Sequence, residues 1–392
     1  MVKYGMHDFL PFFLIVFSGV LFSVLSIRTH IPWAVMLVIG GVLVGPHVLG
    51  VVEVTTTIEF LGQIGLIFLM FMAGLETKLS QFREFKSGLA VLALINGLVP
   101  FLVGFGIVWL LGYPPLAALV VGIIFISSSI AVVIPSLSTH GMLHTKLGQS
   151  VVISTVLQDI SSLVLLSLVL QIVSPVTEVP LYIFYPVLLG TLVLLRFMIP
   201  KVRDFLVSQA EASPTLFQLQ FRVTFLILIG TVILFELLGL HPIVAGFFSG
   251  LVLADSITSK ILKDKIQTIS YGIFIPVFFI VVGLETDLRV FTEIGTILAV
   301  MSSIIGGLLI AKYSSGFIAA RLVGFEKLEA HFFAATSLPQ LSTTLATGFV
   351  AFQIGLLDQK LLTSLVLLSV VTVVVSPFLI NRYSSQLLAE KK

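Results

Sequence analysis

The stretch Val151-Val-Ile-Ser-Thr-Val-Leu-Gln-Asp-Ile-Ser-Ser-Leu-Val-Leu-Leu-Ser-Leu-Val-Leu170 is long and apolar enough to cross a lipid bilayer as one helix. An acid, Asp159, lies near its centre, directly after Gln158. A carboxylate at that depth is energetically costly unless something compensates for it, so an acid there is by default functional. We interpret Asp159 as a site for a cation or a proton; the alternative is a structural hydrogen bond between helices.

The composition places the whole chain in a membrane. Hydrophobic residues make up 58% of the 392 residues and charged residues only 10%, whereas soluble domains carry about 25% charged residues. Arg28-Thr-His30 follows the first apolar segment in place of a cleavage site, which predicts a retained helix. The absence of cysteine excludes disulfides and thiolate metal sites. We expect a lipid bilayer around the chain, and no transition metal, cofactor or nucleic-acid partner.

Apolar runs of about 20 residues predict an all-α membrane protein with thirteen transmembrane helices. Their predicted limits are 9–27, 31–49, 58–75, 88–111, 115–138, 147–172, 181–199, 215–238, 241–256, 268–284, 292–320, 329–352 and 360–380. With the N-terminus outside, fifteen of the 21 Lys and Arg residues fall in inner loops, and only Lys3, Arg289 and Lys360 fall outside. This predicts an integral protein of the cell (inner) membrane with a cytoplasmic C-terminus.

An internal repeat is the second strong signal in the sequence. Gly74-Leu-Glu-Thr77 recurs as Gly283-Leu-Glu-Thr286, and Gly41-Val-Leu-Val44 resembles Gly250-Leu-Val-Leu253, both at an offset of 209 residues. Because seven spans, an odd number, separate equivalent helices, the two copies would enter the membrane from opposite sides. Such inverted repeats are the architecture of secondary transporters; the alternative is chance recurrence in a Leu-rich chain. The predicted organisation is an extra N-terminal helix (1–27), a first inverted repeat (28–172), linking helices on the scaffold and dimer side (173–240), a second inverted repeat (241–381) and a short cytoplasmic tail (382–392).

Two spans at equivalent positions of the repeats combine a proline with clustered hydroxyl groups at mid-membrane depth. These residues are Ser128, Ser129 and Pro135 in the fifth span, and Ser337, Pro339, Gln340 and Ser342 in the twelfth. Proline frees a backbone carbonyl, and hydroxyl groups can satisfy loose backbone groups. We predict broken helices at Pro135 and Pro339, whose ends present their dipoles to an ion. The alternative is a simple proline kink packed by serines.

Lys312 is the other charge deep in a predicted span. An unpaired ammonium there would lose its proton or find a carboxylate or carbonyls, unless it extends to the cytoplasmic interface. Burial favours the neutral form of Asp159, and a nearby ammonium favours the charged form. The carboxylate would then hold a proton or a monovalent cation but not both, which couples the two fluxes. Gln158 and the serine hydroxyls offer further hard oxygen ligands for an alkali cation.

These residues resemble the monovalent cation:proton antiporter-2 family over nearly the whole chain. Gly65-Leu-Ile-Phe-Leu-Met-Phe-Met-Ala-Gly-Leu-Glu76 is similar to the third-helix signature of the family, and Gln158-Asp159 looks like the form in glutathione-gated potassium efflux transporters. The resemblance implies two inverted five-helix repeats with crossed broken helices, and a homodimer. It implies Asp159 and Lys312 as the catalytic residues. The implied ion-binding residues are Asp159, Gln158, Ser128, Ser129, Ser337, Gln340 and Ser342.

Two departures from the family pattern bear on mechanism. Gln158 replaces the acid that usually pairs with the lysine, so Lys312 lacks its usual ion-pair partner. A Leu-Pro-Arg-Gly-Glu-like motif reads Leu338-Pro-Gln-Leu-Ser342, which removes a second carboxylate. Both losses argue for one titrating acid and for electroneutral exchange of Na⁺ and/or K⁺ for H⁺. We expect no nucleotide-binding domain within this chain.

The expected mechanism is alternating access, in which spans three to six and ten to thirteen form an ion-carrying core that shifts against the other spans. The main alternative is a sodium-coupled organic anion transporter of the same fold, since a fold does not fix a substrate. A non-transporting subunit or a channel is a further alternative. We do not expect an enzyme, because the sequence has neither a His-Glu-x-x-His zinc motif nor a second deep Asp.

Overall fold

The computed structural model describes residues 6–29, 31–77, 87–173, 214–238, 241–254, 257, 260–292 and 294–390, with scattered positions between 183 and 201. The regular elements in these ranges are helical. The α-helices are α1 (Met6–Thr29), α2 (Trp33–Val44), α3 (Thr56–Glu76), α4 (Ser87–Leu110), α5 (Pro115–Ile126), α6 (Ile130–Thr139), α7 (Lys146–Val173), α8 (Pro214–Leu237), α9 (Pro242–Ala254), α10 (Lys260–Ile269), α11 (Ile275–Leu284), α12 (Ile294–Leu322), α13 (Lys327–Thr336), α14 (Ser342–Gln353) and α15 (Gln359–Glu390). A π-helical turn, Ser270–Phe274, joins α10 to α11, and a 3₁₀ turn, Leu288–Thr292, precedes α12.

Eight helical stretches within the described ranges are long and apolar enough to cross a membrane. The helical membrane fold expected from the sequence is therefore confirmed, whereas the count of thirteen spans stays a prediction. Several positions of the expected span 181–199, including both of its ends, lie outside the described residues. Residues 382–390, expected as a tail, continue α15, because no Gly or Pro follows Pro377 to end the helix.

The chain divides into two compact units. The first comprises Met1–Glu59, Glu84–Leu166 and Phe279–Lys392, and the second comprises Phe60–Arg83 and Ser167–Phe278. The first unit contains α1 and α2 together with α4 to α6 and α12 to α15. The ion-carrying core of spans three to six and ten to thirteen stays a prediction. All of the candidate site residues lie in the first unit.

In the first unit, two glycines let the backbones of α2 and α11 touch. A Cβ atom added to Gly41 would lie 2.1 Å from the carbonyl oxygen of Ile280, and one added to Gly283 would lie 2.2 Å from the carbonyl oxygen of Val38. No real Cβ atom fits at such distances, so each helix presents a glycine to the backbone of the other. Only glycine at these two positions permits this separation of the helices.

The second unit contains a matching contact between α3 and α9. A Cβ atom on Gly74 would lie 2.1 Å from the carbonyl oxygen of Phe247, and one on Gly250 would lie 2.1 Å from the carbonyl oxygen of Phe71. Gly41 and Gly250 are 209 residues apart, and so are Gly74 and Gly283. The residues whose carbonyls face them show the same offset, which separates Val38 from Phe247 and Phe71 from Ile280. The sequence repeat is thus accompanied by a repeated helix contact.

Candidate functional site

Two helices of the first unit are interrupted. α5 ends at Ile126 and α6 begins at Ile130, while α13 ends at Thr336 and α14 begins at Ser342. Pro339 lies within the second interruption, at the position where the sequence predicted a break. Residues 127–129 of the first interruption and 337–341 of the second lie outside the helices, and several of their backbone groups have no helical hydrogen bond. Their polar backbone groups must therefore find other partners.

The prediction that Pro135 breaks the fifth span is wrong, because Pro135 lies inside α6. The break lies at Ser127–Ser129, several residues before the proline. There, partners from the second interruption replace the helical hydrogen bonds. The backbone N–H of Ser129 donates to the Pro339 carbonyl at 2.7 Å, and the side-chain amide of Gln340 donates to the Ser127 carbonyl. The position of the break is thus set by a segment about 200 residues away in sequence.

The two interruptions are also joined through Ser128 and Ser337. The hydroxyl of Ser128 donates to the Ser337 carbonyl at 2.8 Å, and both side chains are buried. These serines are themselves 209 residues apart, which is the offset of the sequence repeat. The contact between the breaks therefore joins equivalent positions of the two copies.

Asp159 lies on α7 against this junction. Its side chain is only 4% exposed, and its carboxylate interacts with the backbone N–H of Ser128 and the hydroxyl of Thr343. The Oδ1 atom has no hydrogen-bond partner among the described residues. A buried carboxylate oxygen without a donor is costly, so the site is suited to receive a proton or a cation at this atom.

Lys312, on α12, is fully buried at 0% exposure, so its amine does not extend to the membrane interface. Its Nζ atom lies 2.6 Å from the Ile126 carbonyl, 3.1 Å from Ser128 Oγ, 3.2 Å from Gln158 Oε1 and 3.2 Å from the Asn96 carbonyl. All four oxygens are uncharged. An ammonium has three N–H donors, so this set of acceptors satisfies it completely.

Asp159 is not among the hydrogen-bond acceptors of Lys312, although the two charges attract each other electrostatically. The site therefore holds an acid and a base in one buried cluster without a direct ion pair. Gln158, expected as a cation ligand, instead gives its carbonyl oxygen to the Lys312 ammonium, and its Nε2 atom has no partner within the described ranges.

The remaining predicted residues fall into two groups. Ser337 and Gln340 direct their side chains to backbone carbonyls and to the Thr344 hydroxyl, which supports the interruptions. Ser129 and Ser342 are buried, and the Ser129 hydroxyl has no partner in the described part of the chain. The latter two serines stay predicted ion ligands.

Sequence reasoning missed two residues of the site, Asn96 and Thr343. Asn96 could have been found as the one amide in the apolar run 88–111, four residues before Pro100. Thr343 follows Ser342 directly, and only the direction in which α14 leaves the break decides that its hydroxyl reaches Asp159.

The chain matches a known protein family over most of its length. The family described as "Sodium/hydrogen exchanger, transmembrane" matches residues 12–384. The chain belongs to this sodium/hydrogen exchanger family. The resemblance to monovalent cation:proton antiporters that the sequence suggested is therefore confirmed, and the protein is an integral membrane protein of a transporter family.

Individual relatives of this exchanger are also named as cation/proton antiporters. It is similar to the probable Na⁺/H⁺ antiporter 3 of Methanocaldococcus jannaschii, with 31% identity over 90% of this chain and 91% of that protein. It is also similar to the Na⁺/H⁺ antiporter of Enterococcus hirae, with 27% identity over 96% and 98% of the two chains. A glutathione-regulated potassium-efflux system protein of Haemophilus influenzae is 26% identical over 74% of this chain and 47% of its own length.

A solved structure shares the fold of this exchanger. The sodium proton antiporter MjNhaP1 of Methanocaldococcus jannaschii superposes with a TM-score of 0.68 over 96% of this chain and 97% of its own, at 16% sequence identity. At that identity the likeness concerns the fold alone.

Proposed function

We propose that this exchanger moves one monovalent cation, Na⁺ or K⁺, in one direction for one proton in the other, with both ions binding in turn at Asp159. The observation that carries the proposal is the state of that carboxylate. Within the described ranges Asp159 is the only fully buried acid and Lys312 the only fully buried base. One oxygen of the acid is without a donor, so a single atom is available to two competing ions.

The charges of the site favour electroneutral exchange. Lys312 is held by neutral oxygens and need not change its charge when Asp159 changes partner. Protonated Asp159 is uncharged, and ionised Asp159 with a bound monovalent cation is also uncharged. The two loaded forms therefore carry the same net charge, and a complete cycle transfers none across the membrane.

The repeated glycine contacts support an inverted repeat, and an inverted repeat supports alternating access at a site near the bilayer midplane. Exchanging the conformations of two equivalent halves would convert a site open to one side into a site open to the other. Potassium is included as a substrate because one relative is named a Na⁺/H⁺-K⁺ antiporter and another belongs to a potassium-efflux system.

The first test is Asp159→Asn in proteoliposomes loaded with a pH-sensitive dye. We expect addition of Na⁺ or K⁺ to move protons through the wild-type protein and through Asp264→Asn, whose side chain is exposed, but not through Asp159→Asn. All three proteins should have the same melting temperature, since neutral Asn has nearly the shape of Asp. Normal exchange by Asp159→Asn would refute the proposed mechanism.

The second test concerns competition and charge. If one proton and one cation compete for one group, the apparent KM for the cation should rise about tenfold for each unit by which the pH falls, through mass action. The rate should not change with an imposed membrane potential. A flat dependence of KM on pH, or a steep voltage dependence, would contradict one-for-one exchange. Cation-dependent uptake of an organic anion without proton movement would favour the alternative transporter class.

A further inference from the structure

The helix α4, which contributes the Asn96 carbonyl to Lys312, has a proline in its middle. Pro100 lies inside this helix, where it lacks the N–H group that would pair with the carbonyl four residues earlier. That carbonyl belongs to Asn96. It is the same carbonyl that accepts a hydrogen bond from the Lys312 ammonium at 3.2 Å. Pro100 therefore leaves the Asn96 carbonyl without a helical donor, and this free carbonyl is available to accept from Lys312.

The second backbone carbonyl at Lys312 also lacks a helical donor, but for a different reason: its helix ends there. Ile126 is the last residue of α5, so its carbonyl has no helical donor and instead lies 2.6 Å from the ammonium. Both backbone oxygens that hold Lys312 are thus ones that their own helices leave unpaired. A carbonyl already engaged in a helix is a weaker partner for an ammonium, because its main acceptor direction is occupied.

The Asn96 side chain fixes the carbonyl in register with Lys312. Its Oδ1 atom accepts a hydrogen bond from Ser315 at 2.9 Å, and Ser315 lies one turn beyond Lys312 on α12. α4 therefore holds α12 at two points one turn apart.

This arrangement is not a by-product of the repeat. At the 209-residue offset, Asn96 and Pro100 correspond to Ile305 and Leu309, which are apolar and have ordinary N–H groups. The first copy alone carries the proline, and the second copy alone carries the lysine.

We propose that Pro100 is a positioning residue of this exchanger: it frees the Asn96 carbonyl, which then holds the Lys312 ammonium beside Asp159. This inference rests on the proposed function, in which Lys312 keeps its positive charge throughout the cycle, so that transport stops at the pH where Lys312 loses its proton. Restoring an N–H at position 100 would return the carbonyl to its helix. The ammonium would keep three acceptors for its three N–H donors but would lose the dipole of one backbone carbonyl that stabilises its positive charge. It would then release its proton more readily, so the alkaline limit of transport should move to lower pH.

The test is Pro100→Ala, which restores the N–H without adding bulk. We expect the pH profile of exchange to move by about half a pH unit or more in the acid direction, which corresponds to about 0.7 kcal/mol or more of lost stabilisation of the charged ammonium. Pro377→Ala is the matched control, because Pro377 also lies inside a helix, α15, but the carbonyl it frees is not an acceptor of Lys312. Its pH profile should equal that of the wild type.

A second variant isolates the N–H group itself. Lactic acid, the α-hydroxy analogue of alanine, can be introduced at position 100 by nonsense suppression; it has the methyl group of Ala but no N–H. We expect this protein to return to the wild-type pH profile. If Pro100→Ala does not fold while the lactic acid variant does, the restored N–H is the cause, and the proposal is supported.

Failure of both variants to fold, or equal pH profiles in Pro100→Ala and its lactic acid counterpart, would overturn the role of the freed carbonyl. If Asp159→Asn transports normally, the proposed function fails; if it is inactive but Pro100→Ala has the wild-type profile, only this inference fails.

Discussion

The two glycine contacts allow a test of the inverted repeat that does not depend on ions. In Gly41→Ala or Gly250→Ala, the new Cβ atom would lie 2.1 Å from a carbonyl oxygen of the facing helix, more than about 1 Å inside an ordinary contact. Overpacking of this kind costs about 1–3 kcal/mol, while Ala in place of a helical Gly returns up to about 1 kcal/mol. We expect each variant to be destabilised by about 1–2 kcal/mol, and by similar amounts, because the two contacts have equal distances.

The measurement is the unfolding free energy, or the melting temperature, of the purified protein in one detergent. Gly306→Ala on α12 is the control, since a Cβ atom there meets nothing within 4 Å, and its stability should be unchanged or slightly raised. A Gly41→Ala protein as stable as the wild type would refute the contact geometry. Effects of opposite sign at Gly41 and Gly250 would refute the equivalence of the two copies.

Two further predictions concern the ion site. Gln158→Glu places a carboxylate where an amide oxygen now lies 3.2 Å from Lys312 Nζ; with a second acid able to carry a proton, exchange should become sensitive to an imposed membrane potential, and an unchanged voltage response would contradict this. Thr343→Val removes a hydroxyl that interacts with the Asp159 carboxylate, and a hydrogen bond to a charged group contributes about 1.5–3 kcal/mol. The proton should then compete better, so that the apparent KM for the cation rises about tenfold, whereas Thr363→Val, which removes a buried hydroxyl without a partner in the described residues, should not change it.

Composition and spacing predicted much of the site. The apolar runs predicted a helical membrane protein, and the depth of Asp159 within its run predicted a buried acid. For Lys312 the sequence left burial and extension to the interface open, and the structure shows burial. This succeeds because the cost of placing a charge in a nonpolar medium depends mainly on local sequence. The second break was also located from its own residues, since Pro339 lies within it.

Other features depended on residues distant in the chain. The first break lies at Ser127–Ser129, where the backbone is paired with the second interruption, and Pro135 is accommodated inside α6. The partners of Lys312 come from positions 154 to 216 residues away. Residue type alone could not decide between an ion pair with Asp159 and a set of neutral oxygens.

The sequence by itself thus determined that the chain is a bundle of membrane helices with one acid and one base inside it, because hydrophobicity and the cost of burying charge act on each segment separately. The tertiary structure alone decided where the helices break and which oxygens hold the ammonium. Those outcomes require unpaired carbonyls, such as the one Pro100 leaves on Asn96, to meet donors from other helices, and hydrogen bonds form only at short range and in the right direction.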